Sequence, residues 1–152
     1  MADDFLYLSR KEVEFACAEL DAVEVVRQAL RAHASGGTCL PPESYLEWSA
    51  PRVTARSIAM AGFVNGQPGV KLISANPANV DTGLPRASGL TLLLDPDTAR
   101  VRCVMDAAHI SALRTAAVTQ LSIELLASPG SELVAVLGAG ELARAHVTMM
   151  LE

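Results

Sequence analysis

The chain has 152 residues, a formal net charge of −5, 51% hydrophobic residues and a mean hydropathy of +0.30. A net negative charge with only two lysines argues against nucleic-acid binding. The lack of any 18-residue apolar run argues against a membrane span. The acidic start Met-Ala-Asp-Asp does not resemble a secretion signal, and three scattered cysteines favour the reducing cytoplasm. The apolar share is high for an isolated chain, which suggests a buried interface.

The first elements predicted along the chain are a short strand and two helices. Residues 5–8 form a β-type run. Each helix start carries an N-cap residue with a glutamate three positions later, namely Ser9 with Glu12 and Asp21 with Glu24. Apolar residues then recur at helical spacing until a glycine pair ends the second helix.

The middle of the chain is predicted to form a mainly antiparallel sheet. Runs of strand character, separated by turn residues, cover 44–50, 55–65, 69–75, 88–95 and 99–105. The segment 76–86, NPANVDTGLPR, is predicted to be a loop because it is rich in proline, glycine and asparagine. A long, sparsely charged helix over 109–128 is expected to link the sheet to the end of the chain.

The last twenty residues have the pattern of a dinucleotide-binding turn. An apolar run over 133–137 is followed by Gly138, Gly140 and a helical pattern, which is the strand–turn–helix order of such units. A plain tight turn is the alternative, and the carboxylate of Glu141 is unfavourable beside a phosphate. The predicted fold class is therefore α/β. The elements suggest two domains, an α+β domain over 1–130 and the first βα unit of a Rossmann domain over 131–152, and the resemblance given below implies that the first of them binds substrate and dimerises.

Four cations are the candidate substrate-binding residues. Lys71 lies inside an apolar strand, so it points either into the core with a functional role or, by strand alternation, to solvent. Arg114, in a nearly uncharged helix, is expected to be almost buried and to pair with an anionic ligand or with Asp106. Together with Arg56 and Arg86 they would suit a small substrate that carries several carboxylates. The three histidines show no metal-ligand spacing, so no metal site is predicted.

Taken in order, these segments resemble the ornithine cyclodeaminase/mu-crystallin family. The resemblance rests on FLYLSRKEVE, GVKLISANPANVDTGLPRASG, LLLDPDT, ISALRTAAVTQLSIELLA and VAVLGAGELARAH. It implies an NAD-dependent, homodimeric enzyme that acts on a small amino-acid substrate. It also implies that Lys71 is catalytic in the substrate pocket, that Arg56 and Arg114 bind substrate carboxylates, and that Thr115 lies close to the NAD phosphates.

The resemblance also suggests a reaction and a cofactor site. LPRASG and MDAAHISALRTAAV look like the dehydrogenases that make 2,3-diaminopropionate for siderophores and peptide antibiotics. Their substrate, N-(2-amino-2-carboxyethyl)glutamate, carries three carboxylates. The residues expected to hold NAD are Arg114, Thr115, Gly138, Ala139, Gly140, Glu141 and Leu142.

Two other functions remain open at this stage. One is an ornithine cyclodeaminase, and the other is a non-catalytic module that binds a nucleotide or small ligand. Family chains are about twice this length, and their catalytic aspartate lies in the second half. The resemblance therefore implies that residues 1–152 alone are inactive.

Overall fold

The computed structural model describes residues 5–151, so the Met-Ala-Asp-Asp start and residue 152 lie outside the described residues. The strands are β1 (Leu6–Leu8), β2 (Thr38–Cys39), β3 (Ser44–Ser49), β4 (Thr54–Val64), β5 (Gln67–Ala75), β6 (Ala87–Leu94) and β7 (Val101–Asp106). The α-helices are α1 (Arg10–Cys17), α2 (Ala22–Ala34), α3 (Ala108–Leu126) and α4 (Glu141–Leu151). A 3₁₀ helix covers Pro77–Thr82.

The described strands form one seven-stranded sheet in the order β1-β7-β6-β5-β4-β2, and β3 also pairs with β4. The pairing is antiparallel except between β1 and β7, which are parallel. A two-residue turn at Asn65 and Gly66 joins β4 to β5, and both residues have positive φ. This turn type matches the twist of the strands and fixes their register. The mixed α/β fold class predicted from the sequence is confirmed.

The helices pack on one face of the sheet, here called the inner face. Val13 of α1 contacts Cys103 and Met105 of β7, and all three side chains are buried. A second apolar cluster joins α2 to α3 through Val26 and Ala117. Side chains alternate along a strand, so the inner face carries every second residue of each strand. The opposite side of the sheet is called the outer face.

The predicted helix starts are confirmed. The Ser9 backbone N–H and hydroxyl both donate to Glu12 Oε2, at 2.8 and 2.6 Å, and the Glu24 N–H donates to Asp21 Oδ1 at 2.8 Å. The five strands predicted in the middle of the chain and the linking helix form within a few residues of their expected ends. No helix in residues 5–151 is long and apolar enough to cross a membrane.

Two local predictions are wrong. The segment 76–86 is not wholly irregular, because it contains the 3₁₀ helix, which ends at Gly83 with a φ of 73°. The run 133–137 is not a strand: residues 131–140 have no regular secondary structure, and Leu133 and Leu137 are almost fully exposed. A strand is held by hydrogen bonds to its neighbours, and no described strand pairs with this run.

Candidate functional site

Lys71 lies on the inner face of the sheet. Within β5 it is paired with Met60 of β4 and with Thr91 of β6, and Thr91 is paired in turn with the buried Met105. Cross-strand partners share a face, so Lys71 points to the side on which the helices pack. Lys71 is only half-buried there, so its functional role stays a prediction. Half-burial lowers the pKa of Lys71 below its usual value of 10.5, the Arg114 charge lowers it further, and Glu43 acts in the opposite direction.

Arg56 shares the inner face with Lys71. Along β4, Arg56 lies four residues from Met60, the strand partner of Lys71, and four residues of a strand span roughly 13 Å. Arg114 approaches Lys71 from α3 closely enough for its charge to act on the lysine. Within residues 5–151, none of the recorded ion pairs involves Arg56, Lys71 or Arg114. The three cations thus lie on the helix-bearing side of the sheet, and Glu47 of β3 is the cross-strand partner of Arg56.

The expected burial of Arg114 is wrong. The side chain is exposed, although Ala112, Ala116 and Ala117 beside it in α3 are buried. The alternative partner, Asp106, accepts a hydrogen bond from the Ala108 N–H at 2.9 Å and so caps the start of α3. The small residues do allow close helix packing, but they do so on a different face of α3 from the guanidinium.

Arg86 is held by an ordered loop that the asparagines of the NPxN motif stabilise. Asn76 Oδ1 accepts from the Ala78 N–H at 3.0 Å, and Asn79 Nδ2 donates to the Pro85 carbonyl at 3.0 Å. The Asn76 N–H also donates to the Arg86 carbonyl at 2.9 Å. Arg86 directly precedes β6. Its position alternates with the inner-face residues of β6, so strand pairing does not place it on the same face as Lys71. Its part in substrate binding stays a prediction.

The D-P-x-T motif is a turn motif. Asp95 Oδ1 accepts hydrogen bonds from the Asp97 N–H, the Thr98 N–H and the Thr98 hydroxyl, at 3.2, 2.9 and 2.8 Å. The bonds from Thr98 and then from the Asp97 backbone lower the pKa of Asp95. This residue closes the β6–β7 hairpin and contributes no group to the cation cluster.

The glycine turn precedes the helix that the sequence predicts. Gly138 has a φ of 107°, a conformation that side chains disfavour, and nothing lies within 4 Å of a Cβ placed on Gly140. The Arg144 N–H donates to the Gly140 carbonyl at 3.1 Å, which starts α4. An exposed glycine backbone before a helix N-terminus fits a pyrophosphate, because free N–H groups and the helix dipole favour an anion there.

Thr115 and Glu141 have protein partners in this structure. The Thr115 hydroxyl donates to the Ser111 carbonyl at 2.6 Å, within α3. The Arg10 guanidinium donates to Glu141 Oε1 at 2.5 Å and to Glu14 Oε1 at 2.9 Å. Arg10 therefore balances the carboxylate that the sequence places unfavourably at the start of α4. Ala139 and Leu142 flank Glu141 on the exposed side of the turn.

Two cavities lie on the inner side of the sheet. The smaller, of about 310 Å³, is lined by Lys71, Met60, Thr91 and Leu40 among others. The larger, of about 750 Å³, lies among the four helices and contains none of the predicted cations. The predicted cations therefore do not favour the larger cavity as the substrate site. Residues 5–151 contain no cluster of three histidine, cysteine or acidic side chains placed to hold a metal ion.

Glu43 and Glu47 are carboxylates near the predicted cations that the sequence reasoning missed, and Glu47 lies across from Arg56. Glu43 lies in the short segment before β3, and its charge acts on Lys71. A single glutamate after a proline pair carries no motif. Glu43 directly precedes β3, whose first pair is Ser44 with Ala59.

The model of the ornithine cyclodeaminase/mu-crystallin family matches residues 4–152. The chain belongs to this family. A nodulation efficiency protein of Rhizobium meliloti is 36% identical over 147 residues, which cover 95% of this chain and 45% of the relative. The N-((2S)-2-amino-2-carboxyethyl)-L-glutamate dehydrogenase of Staphylococcus aureus is 32% identical over 160 residues, which cover 100% of this chain and 48% of the relative.

Solved structures of the family share this fold. The crystal structure of CmnK has a TM-score of 0.95 at 42% identity, with 99% of this chain and 47% of that chain covered. An archaeal alanine dehydrogenase dimer with bound NAD has a TM-score of 0.87 at 30% identity, with 97% and 45% covered. The chain thus spans about half the length of the family members that it matches. Below, "the whole protein" means a polypeptide of their length that contains this chain.

Proposed function

We propose that the whole protein is an NAD-dependent amino-acid dehydrogenase that cleaves N-(2-amino-2-carboxyethyl)glutamate to 2,3-diaminopropionate and 2-oxoglutarate. The observation that carries the proposal is the group of Arg56, Lys71 and Arg114 on the helix-bearing side of the sheet, none of which takes part in a recorded ion pair within residues 5–151. This substrate supplies three carboxylates. The staphylococcal relative that matches the full length of the chain is named for this substrate.

The residues of the cluster would divide the work between binding and proton transfer. Arg56 and Arg114 bind carboxylates, because a guanidinium donates two parallel hydrogen bonds to a carboxylate. Arg86 is retained as a fourth carboxylate ligand at the rim. A lowered pKa leaves Lys71 more readily deprotonated than an exposed lysine, so its amine can accept the proton that the substrate nitrogen loses.

The chemistry is an oxidation followed by a hydrolysis. The glutamate Cα–H bond breaks with its electron pair, the nitrogen loses its proton, and a C=N double bond forms. Water then adds to the imine carbon and the C–N bond breaks, which releases the keto acid and the amine. NAD, when bound, supplies the two-electron acceptor. Gly138, Ala139, Gly140, Glu141 and Leu142 would hold its pyrophosphate, with Arg114 and Thr115 facing it from α3.

The assay uses the whole protein with NAD and N-(2-amino-2-carboxyethyl)glutamate. We expect NADH, 2-oxoglutarate and 2,3-diaminopropionate in equal amounts. Ornithine serves as the second substrate: its conversion to proline without net NADH would identify a cyclodeaminase instead. If neither amino acid is converted while NAD still binds, the protein is a non-catalytic binding module and the proposal is wrong.

We also propose that the whole protein is a homodimer in the cytoplasm. The outer face of the sheet exposes large apolar side chains, namely Leu46, Trp48, Phe63, Leu72 and Leu90. Large exposed apolar side chains on one face of a sheet favour burial against a second copy. The cysteines at 17, 39 and 103 are all free, which suits a reducing compartment.

A further inference from the structure

His146 joins the helix that follows the glycine turn to the helix that carries Arg114. Its Nδ1 lies 2.6 Å from the Leu142 carbonyl oxygen in the first turn of α4, and its Nε2 lies 3.0 Å from the Thr119 hydroxyl of α3. A carbonyl only accepts hydrogen bonds, so in the neutral ring Nδ1 carries the proton and Nε2 accepts from Thr119. Both nitrogens are thus used, and the ring is held in one orientation between the two helices.

The Thr119 hydroxyl has one proton and two acceptors for it. The Thr115 carbonyl lies 3.4 Å away, which is long for a hydrogen bond, whereas His146 Nε2 lies at 3.0 Å. The proton is therefore assigned to the contact between the helices. The Thr115 and Ser122 hydroxyls donate instead to carbonyls one turn back in α3, at 2.6 and 2.7 Å.

This contact lies on the face of α3 that the glycine turn approaches. Thr115 and Thr119 are four residues apart and share one face of the helix. Arg10 of α1 donates to Glu141, the first residue of α4. Ile110, near the beginning of α3, packs against the buried cluster to which α1 contributes. The start of α4 thus lies toward the beginning of α3, which is the Thr115 end of this face.

We propose that His146 is a positioning residue, which through Thr119 holds the glycine turn beside α3 so that Gly140 and Thr115 contact the same pyrophosphate. The inference rests on the proposed function, because it requires that the turn binds NAD. His146 acts through the position of α4 and not through a contact of its own with the cofactor. Without its hydrogen bond α4 can shift on α3, and the two halves of the pyrophosphate site no longer match.

The test removes the Thr119 hydroxyl and then restores it. Thr119→Val keeps the branched shape without the donor, so the dissociation constant of NAD should rise about 3- to 10-fold, the usual worth of one neutral hydrogen bond. Fluorescence titration of the whole protein measures it. Thr119→Ser retains the hydroxyl and should bind NAD nearly as the unsubstituted protein does. His146→Leu should weaken NAD binding at least as much as Thr119→Val, and adding Thr119→Val to it should cause no further loss, because both remove the same bond.

The matched control is Ser122→Ala, which removes an exposed α3 hydroxyl bonded to the Val118 carbonyl and should leave NAD affinity unchanged. Thermal unfolding without NAD is recorded for each variant. A contact that only stabilises the fold would lower the unfolding temperature in Thr119→Val and leave the dissociation constant of NAD unchanged. That result would overturn the inference while the proposed function stood, as would additive losses in the double variant or a Thr119→Ser protein as weak as Thr119→Val. Failure of the unsubstituted whole protein to bind NAD would overturn both.

Discussion

Lys71 carries a cost in stability that the function proposed for it would explain. The side chain is half-buried on the inner face, and burial, then the charge of Arg114, lowers its pKa from 10.5. The folded state therefore binds fewer protons than the unfolded state at pH values between the two pKa values. It follows that the free energy of unfolding rises with pH in that window, just below 10.5. At neutral pH the charged lysine opposes folding.

The residue-scale prediction is that Lys71→Met stabilises the protein and abolishes turnover. Removing this charge should raise the free energy of unfolding at pH 7 by at most roughly 0.5 kcal/mol, because solvent screens a side chain that is only half-buried. Loss of a proton-transfer group should lower kcat by about 100-fold or more. Urea unfolding at pH 7 and pH 10, together with NADH formation, measures both.

The comparison for this variant is Lys11→Met, which removes the other lysine from the exposed surface of α1. Lys11→Met should change neither quantity appreciably. The rise of unfolding free energy with pH should also be weaker in Lys71→Met than in Lys11→Met. A Lys71→Met protein that is less stable at pH 7 would show that the lysine is stabilised by its surroundings, contrary to the argument.

At the scale of elements, local signals in the sequence predicted the helices and hairpins well. Ser9 with Glu12 forms its hydrogen bonds within four residues, and the β6–β7 turn is closed by Asp95 alone. Such contacts need no distant partner, so composition and spacing identify them. The run 133–137 has equally clear strand character but forms no strand, because a strand depends on hydrogen bonds to neighbours that its own sequence does not contain.

The candidate site was only partly predictable for the same reason. Lys71 and Arg114 could be singled out because a cation is unusual in an apolar segment. The exposure of Arg114 depends on which face of α3 packs, and the nearly uniform apolar character of that helix gave no clear stripe to decide it. Glu47 lies across from Arg56 only through the register of β3 on β4, which no local signal specifies.

The element-scale prediction contrasts the two glycines of the turn before α4. Gly140→Val should weaken NAD binding at least about 10-fold, because a side chain would hold the pyrophosphate away from the backbone. It should cost less than about 1 kcal/mol of stability, since nothing lies within 4 Å of the added Cβ. Gly138→Val should also weaken binding, but at a stability cost of about 1–3 kcal/mol, because its φ is 107°.

Fluorescence titration with NAD and thermal unfolding measure the two effects separately. Lys71→Met provides the contrast, because it should leave NAD affinity almost unchanged. If Gly140→Val binds NAD normally, the turn does not contact the pyrophosphate and the cofactor site lies elsewhere. If Lys71→Met loses NAD affinity with turnover intact, the lysine does not belong to the substrate pocket.

At the scale of the whole molecule, the two faces of the sheet carry different kinds of side chain. The inner face carries the helices, the buried cluster around Val13 and the cation site. The outer face pairs Leu72 with Leu90 in adjacent strands, and both are more than a third exposed. Trp48 of β3 is a further exposed apolar side chain on the outer face. A dimer formed through the outer face would cover the apolar surface and leave the site open.

At this scale we therefore predict that a charged residue introduced on the outer face dissociates the proposed dimer. The substitution should not directly disturb the candidate site on the inner face. In Trp48→Glu the buried aromatic contact is lost and a carboxylate must be desolvated, so the dimer dissociation constant should rise at least about 30-fold. Sedimentation equilibrium over a wide concentration range measures the dimer dissociation constant.

Phe15→Glu is the matched control, because Phe15 is 85% exposed on α1, away from the sheet's outer face. That variant should sediment like the unsubstituted protein. A monomeric unsubstituted protein would contradict the prediction, and dissociation by Phe15→Glu but not by Trp48→Glu would move the interface to the helices.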